Sequence, residues 1–370
     1  MRAWGRRLAS AALAEALEDD LPRHMRRALR LAAKGAGRTS PNPMVGAVVV
    51  RAGEVVGEGW HRLAGGPHAE VEALRVAGAR ARGATLVVTL EPCSHHGRTP
   101  PCVDAVREAG IARVVAAMRD PYPKVDGRGF RALRAAGIAV EHGLLEDEAR
   151  RLNEGFITRL RLGRPFVLVK LAVTVDGRTS VPGRRYLSGK PALREVHRLR
   201  DRMDAVLVGV GTVLADDPQL TVREVKGRDP LRVVVDTEAR TPPAARIVRA
   251  RDPERTVLFV ARDADPRRVE RLRRAGASIV TMPRADGGVD LARALRWLGE
   301  QGVSTVLSEA GPRVASALVR TGLADRAMFI VSPLLGGDGP RLDALPEPRT
   351  LRDATTRRLG GDVVIEGYLS

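Results

Sequence analysis

The chain has 370 residues, with 62 Lys and Arg against 44 Asp and Glu, a formal charge of +18. That length accommodates two domains with cores of their own, while two cysteines cannot supply a disulfide framework or a set of zinc fingers. No apolar run approaches the roughly 18 residues of a spanning helix, so a soluble chain is expected; aromatics at 3% and dispersed arginines speak against nucleic acid as partner, and the basic surface instead suits a small phosphorylated substrate.

Residues 1–20 read as an extension. Arg2, Arg6 and Arg7 precede an alanine-rich stretch, as in a targeting peptide, but Glu15 interrupts it and Glu18, Asp19 and Asp20 follow, which favours a solvated helix. Met25 offers an alternative start. Leu21 to Ala33 has helical spacing. Val45 to Val50 is an apolar run of strand length, with Glu54 to Gly59 as its hairpin partner across Ala52-Gly53. Helix then alternates with strand: Glu70 to Ala77, Thr85 to Leu90, Val103 to Ala109, Arg113 to Ala117, Arg131 to Ala136, and a strand from Val140. A charged helix over Glu146 to Leu162 is broken by Gly163-Arg164-Pro165. A second series follows, with strands at Phe166–Val173, Ala205–Val210, Leu231–Asp236, Thr256–Val260, Ser278–Met282, Thr305–Ser308 and Met328–Val331. Its helices fall at Ala192–Met203, Arg267–Ala275, Leu291–Gln301 and Val314–Thr321. This alternation predicts two α/β domains, 21–163 and 164–370, each a sheet covered by helices.

Both cysteines lie in one short segment. His68-Ala69-Glu70 is followed by Pro92-Cys93 and by Cys102, nine positions after Cys93. One imidazole and two thiolates make three ligands for Zn²⁺ and leave a fourth position for water, whose pKa the metal lowers. Glu70, two residues past the histidine, is placed to handle the water proton and pass it to a leaving amine. A structural site with His95 or His96 as fourth ligand is the alternative. The second half has no Gly-x-Gly-x-x-Gly after a strand, so a Rossmann fingerprint is absent. Val208-Gly209-Val210-Gly211-Thr212 and Ser308-Glu309-Ala310-Gly311-Pro312 each follow a strand, and the second opens a helix whose amides suit a phosphate.

Zinc deaminases pair His-x-Glu with Pro-Cys-x-x-Cys. Here eight residues separate the cysteines, and the run Thr89-Leu90-Glu91-Pro92-Cys93-Ser94-His95-His96-Gly97-Arg98-Thr99-Pro100-Pro101-Cys102 resembles the bifunctional deaminase/reductase family of riboflavin biosynthesis. Pro41-Asn42-Pro43, Val45-Gly46 and Gly59-Trp60-His61 match the same family. So do Lys170-Leu171-Ala172 with Val175-Asp176-Gly177-Arg178, Val213 to Pro218 with Leu220 to Arg223, and Glu309 to Pro312. The resemblance implies a cytidine-deaminase-like three-layer α/β/α domain and a dihydrofolate-reductase-like α/β domain, with zinc and NADPH as cofactors. It implies substrate contacts from Asn42, His61, His95, Arg98, Arg184, Arg200, Leu220, Arg223 and Glu309. It places Ala172, Tyr186, Thr212, Asp216, Thr237 and the segment Gly311, Pro312, Arg313, Val314, Ala315, Ser316, Ala317 against NADPH, with Lys170 near the reacting carbon; the sequence leaves the general acid of the reduction open, with Lys170 the first candidate and Asp176 read as a turn residue. It further implies a cytoplasmic enzyme that associates through its reductase domains. Tyr186, where the family often has Trp, and Arg184, where relatives have a small polar residue, depart from the pattern. Two alternatives follow: an active deaminase with an impaired reductase, or a nucleic-acid base deaminase with a non-catalytic partner domain.

Overall fold

The computed structural model describes residues 20–96, 100–184, 186–343 and 345–369. The extension 1–20, Asp20 apart, and Arg98 lie outside them. The chain divides into two compact units, 1–161 and 162–370.

The first unit opens with a helix over 20–32 (α1). Met25 is fully buried in that helix and Leu21, one turn before it, belongs to the same core, so the chain upstream of Met25 is part of the fold. The elements that follow are β1 (Gly46–Arg51), β2 (Glu54–Trp60), α2 (Ala69–Ala77), β3 (Thr85–Val88), α3 (Cys102–Glu108), β4 (Arg113–Ala116), α4 (Arg128–Ala135), β5 (Ala139–His142), α5 (Glu146–Leu152) and α6 (Glu154–Leu162). The sheet order is β2-β1-β3-β4-β5. β1 runs antiparallel to both neighbours, while β3, β4 and β5 are parallel.

Two glycines set the layers. A Cβ on Gly46 would meet the Ala28 carbonyl of α1, and one on Gly57 would meet Ala73 of α2. Gly57 pairs with Val49, three residues on from Gly46, and successive strand residues face opposite sides. The two helices therefore cover opposite faces, giving three layers. The expected single helix over Glu146–Leu162 is interrupted at Asn153. This residue is 1% exposed, and its side chain closes a pair of bonds with the Met44 backbone, Nδ2 to O at 2.9 Å and Oδ1 from N at 2.8 Å. Satisfying those buried groups outweighs one continuous helical ladder.

The second unit contains β6 (Phe166–Thr174), α7 (Lys190–Arg202), β7 (Ala205–Gly209), α8 (Val210–Asp216), β8 (Leu231–Val235), β9 (Thr256–Ala261), α9 (Pro266–Arg274), β10 (Ser278–Met282), β11 (Arg284–Ala285), β12 (Gly288–Val289), α10 (Leu291–Glu300), β13 (Thr305–Ser308), α11 (Pro312–Arg320), β14 (Arg326–Ser332), β15 (Leu351–Leu359) and β16 (Asp362–Leu369). Nine strands form one sheet in the order β10-β9-β8-β7-β13-β6-β14-β16-β15. Alternation assigns its side chains to two cores. Phe166, Leu168, Val206, Val208 and Val234 pack with α7 and α8, whereas Val167, Val169, Ala205, Leu207 and Val233 pack with α10 and α11. Each such fully buried Val or Leu contributes about 1.5–3 kcal/mol. Lys170 has the parity of Phe166 and Leu168, so it emerges on the α7 side.

Candidate active sites

His68, Cys93 and Cys102 converge in the first unit, with their ligating atoms all within 4.8 Å of one another. His68 is the residue before α2, and Cys102 is the first residue of α3. Cys93 follows β3 in the loop leading to α3; its carbonyl accepts from Val103 N at 3.2 Å, and its Sγ accepts from Cys102 N at 3.3 Å. His68 Nδ1 lies 3.1 Å from Cys102 Sγ and 3.6 Å from Cys93 Sγ. A tetrahedral Zn²⁺ with ordinary Zn–N and Zn–S bonds separates such ligand atoms by about 3.5–3.8 Å. The donor set and its spacing therefore fit zinc. Among the described residues neither His95 nor His96 joins the cluster, which offers three ligand atoms. The Cys102 hydrogen bond, with the His68 imidazole adding to it, draws the Cys93 thiol down to about 4 and favours the thiolate a metal requires. Glu70, 3% exposed on the first turn of α2, neighbours all three ligands; burial, opposed by the His68 charge, pushes its carboxyl up to about 6.

Asn42 and His61 stand beside this cluster as a pair. His61 Nδ1 lies 3.0 Å from the Pro67 carbonyl, which only accepts, so Nδ1 carries the proton. Burial lowers the pKa of this ring, and the neutral ring's Nε2 accepts from Asn42 Nδ2 at 3.1 Å. The Asn42 carbonyl oxygen is thereby turned away from the imidazole. His61 is 2% exposed and its ring meets that of His68 edge-on at 5.4 Å. It thus stands behind Asn42 rather than in front of it. His95 lies against the Tyr122 ring at 5.8 Å.

Two acidic residues here escaped the sequence reading. Glu91 accepts from the backbone N–H of Asp120, Gly127 and Phe130 at 2.9–3.2 Å, tying the β4–α4 loop to the segment that carries Cys93. Asp120 on that loop is buried, and burial, helped by the charges of Glu91 and Cys93, raises its carboxyl to about 7. The one signal in the chain was an Asp-Pro pair just past a strand.

In the second unit a cavity of about 1200 Å³ opens along the C-terminal ends of the parallel strands, where open α/β sheets bind ligands. It exceeds the range of a single small-ligand pocket. On one side Lys170 of β6, Arg200 of α7 and Glu309 after β13 meet. Arg200 grips Glu309 with two bonds of 2.6 and 3.0 Å and reaches the Thr221 carbonyl at 3.0 Å, while Lys170 Nζ sits 3.9 Å from Glu309. Burial would push the Glu309 carboxyl up, but Arg200 and Lys170 together hold it at about 2. Burial, countered by Glu309, lowers the pKa of Lys170. His197 accepts from Arg223 N at 3.1 Å; burial first, then the Arg200 and Arg223 charges, brings it to about 4, so it is neutral.

Comparison with known proteins identifies both units. The region 19–118 matches the family model for the cytidine and deoxycytidylate deaminase zinc-binding region, and 165–365 matches the RibD C-terminal domain. The riboflavin biosynthesis protein RibD of Escherichia coli (strain K12) is 44% identical over 92% of this chain and 97% of its own length, and that of Aquifex aeolicus is 40% identical over 92% and 96%. The solved structure of Acinetobacter baumannii RibD superposes with a TM-score of 0.84 at 36% identity, covering 95% of this chain and 99% of its own. The chain belongs to the RibD family. It is a bifunctional deaminase and reductase of riboflavin biosynthesis, with zinc in the deaminase domain and NADPH as cofactor of the reductase. The partner-domain alternative is overturned by the match of the second unit to the RibD C-terminal domain.

Within the RibD frame, Ala172, Arg184, Tyr186, Thr212, Asp216, Thr237, Arg223, Gly311, Pro312, Arg313, Val314 and Ala317 all line the large cavity. Tyr186 is half exposed there. Ala315 and Ser316 are buried on the inner face of α11, and Ser316 Oγ accepts from Asp343 N at 2.9 Å, so the middle of that segment serves packing. Leu220 also turns its side chain into the core at 2% exposure, with φ +54°, which leaves its backbone to edge the cavity. Asp176 closes a turn through Thr174 Oγ1 at 2.6 Å and Gly336 N at 2.8 Å.

Proposed function

We propose that deamination takes place at the His68–Cys93–Cys102 cluster and reduction in the large cavity of the second unit, with the residues below in named roles. The observation that carries this reading is the convergence of three metal donors with a buried Glu70 beside them. Zinc, when bound there, supplies a Lewis acid that makes hydroxide available near neutral pH. Glu70 takes the proton of the attacking water and returns it to the amine leaving the diaminopyrimidinone ribosylamine phosphate. Asn42, its amide fixed by His61, offers its carbonyl oxygen to an N–H of the pyrimidine, and His95 and Arg98 serve as substrate contacts.

In the second unit the large cavity would hold NADPH, which would supply the hydride for reduction at C1′ of the opened ribosyl group. Lys170 stands as the proton donor at that carbon's neighbour, and Glu309 keeps the ammonium charged. Arg200 and Arg223 bind the phosphorylated substrate, and Arg184 flanks it. Ala172, Thr212, Asp216, Thr237 and the start of α11 receive the cofactor, whose phosphates suit the helix amides after Gly311, with Tyr186 over the nicotinamide. The reading includes an N-terminal extension over 1–20 and domain limits at 21–163 and 164–370. It includes association through the reductase units, supported by the open edge of the outer strand β15 and by Leu335, 81% exposed. A cytoplasmic setting is supported by the need of both cysteines to remain thiolates.

A two-step assay tests it. Supplied with the diaminopyrimidinone phosphate, the protein should release ammonia without NADPH and then oxidise NADPH when it is added. Cys93→Ser should abolish ammonia release while still oxidising NADPH when given the deaminated product, and Lys170→Met should abolish NADPH oxidation while leaving ammonia release intact. Ammonia without NADPH oxidation would instead favour the impaired reductase suggested by Tyr186 and Arg184.

A further inference from the structure

The large cavity continues past β7 to the end of β8 and the β11–β12 hairpin, on the far side from Lys170 and Glu309. The residues leaving β8 are Asp236, Thr237, Glu238, Ala239 and Arg240. At such a strand end, dinucleotide sites use a carboxylate to hold the adenosine ribose 2′-OH of NAD, whereas an arginine accommodates the 2′-phosphate of NADP.

Both carboxylates here are engaged within the protein. Asp236 is fully buried, and its Oδ2 accepts from Thr241 N at 2.6 Å and Thr241 Oγ1 at 2.7 Å. Glu238 is paired with Arg284 of β11 at 2.7 Å, and the same guanidinium binds Asp263 at 2.9 Å. Thr237 Oγ1 accepts from Val289 N at 3.2 Å, which ties the hairpin to this strand end. Arg240 and Arg246 line the same end of the cavity, and among the described residues no hydrogen bond or ion pair engages either guanidinium. Arg240 acts on Glu238 through its charge alone, and Arg246 donates to Asp217 Oδ1 only through its backbone, at 2.8 Å. Among the described residues, the buried Asp236 and Asp286 at the hairpin tip also carry no ion pair, so the two guanidinium groups facing this end of the cavity are those of Arg240 and Arg246.

We propose that Arg240, with Arg246 beside it, binds the 2′-phosphate of NADPH, and that the internal pairing of Asp236 and Glu238 removes the carboxylate that would favour NADH. The forked guanidinium fits a phosphate with two parallel bonds. The inference rests on the reading of this cavity as the dinucleotide site.

Calorimetric titration of the intact zinc-loaded protein with NADP⁺, NAD⁺ and 2′,5′-ADP tests it without recourse to activity. The native protein should bind NADP⁺ more tightly than NAD⁺ and should bind 2′,5′-ADP. Arg240→Ala should weaken NADP⁺ and 2′,5′-ADP by about 10- to 100-fold while leaving NAD⁺ within about threefold, Arg240→Lys should recover part of the loss, and Arg240→Ala with Arg246→Ala should make the two dinucleotides nearly equal. Unchanged NADP⁺ binding in Arg240→Ala, an equal loss for NAD⁺, or a selective loss in Arg320→Ala instead would overturn the assignment with the cavity reading intact. Native protein that binds neither dinucleotide would overturn the cavity reading and this assignment with it.

Discussion

Replacing Glu309 by Gln asks whether Lys170 works as a charged acid. Burial and Arg200 both act against the Lys170 ammonium, and Glu309 is the group that supports it. The separation is 3.9 Å. At an effective dielectric of about 20, a charge pair at that distance is worth about 4 kcal/mol in favour of the charged lysine. Rearrangement of Arg200 reduces this, and the lysine's pKa is expected to fall further below its usual value. Gln keeps the shape of the side chain and an oxygen for Arg200. The assay follows NADPH absorbance against pH, fed with the deaminated ribosylamine phosphate so that the first reaction is bypassed. The alkaline limb of kcat should move to lower pH, while ammonia release by the same preparation stays at the native rate. A uniform fall in kcat with the limb unmoved would refute the role of Lys170 as acid and reduce Glu309 to a positioning residue for Arg200.

Three further outcomes follow from the same geometry. Glu70→Gln should lower kcat for ammonia release by about a hundred- to ten-thousand-fold with bound zinc, measured by atomic absorption, unchanged. The Glu309 carboxyl is held at about 2 in place of 4.5, so its pairing stabilises the second unit fully above pH 4.5, and that contribution, about 3 kcal/mol, disappears as the pH falls from 4.5 toward 2; urea midpoints of the native protein should drop across that window, and those of Glu309→Gln should drop less. Asn153→Ala should destabilise the first unit by about 2–4 kcal/mol, because the Met44 N–H and C=O lose their partners, with the urea midpoint as readout and zinc content retained.

The metal site was legible because its ligands lie close in the chain and two of them begin helices, so spacing and chemistry point the same way. The alternation of strands and helices was equally legible from apolar runs such as Val45 to Val50. The Lys170–Arg200–Glu309 cluster was open only to family resemblance, since its members come from three elements and no local pattern links them. α8 was hidden by the glycines of Val208 to Gly211. The β15–β16 hairpin was hidden for a different reason: β15 reads Leu-Arg-Asp-Ala-Thr-Thr-Arg-Arg-Leu, exposed over most of its length, and carries no alternation to detect. The break at Asn153 depends on Met44, 109 residues away, and no window of sequence contains both.

The two sulfurs of the metal cluster are held together at the two ends of one loop, Cys93 by the segment that Glu91 anchors and by the N–H groups of Cys102 and Val103, and Cys102 by the start of α3. Among the described residues between them, Ser94 to His96, Pro100 and Pro101, none adds a ligand atom to the cluster. A change of side chain there would bear on the selectivity of the first reaction, by evolution or by an engineer, and leave the three donors that grip zinc in place.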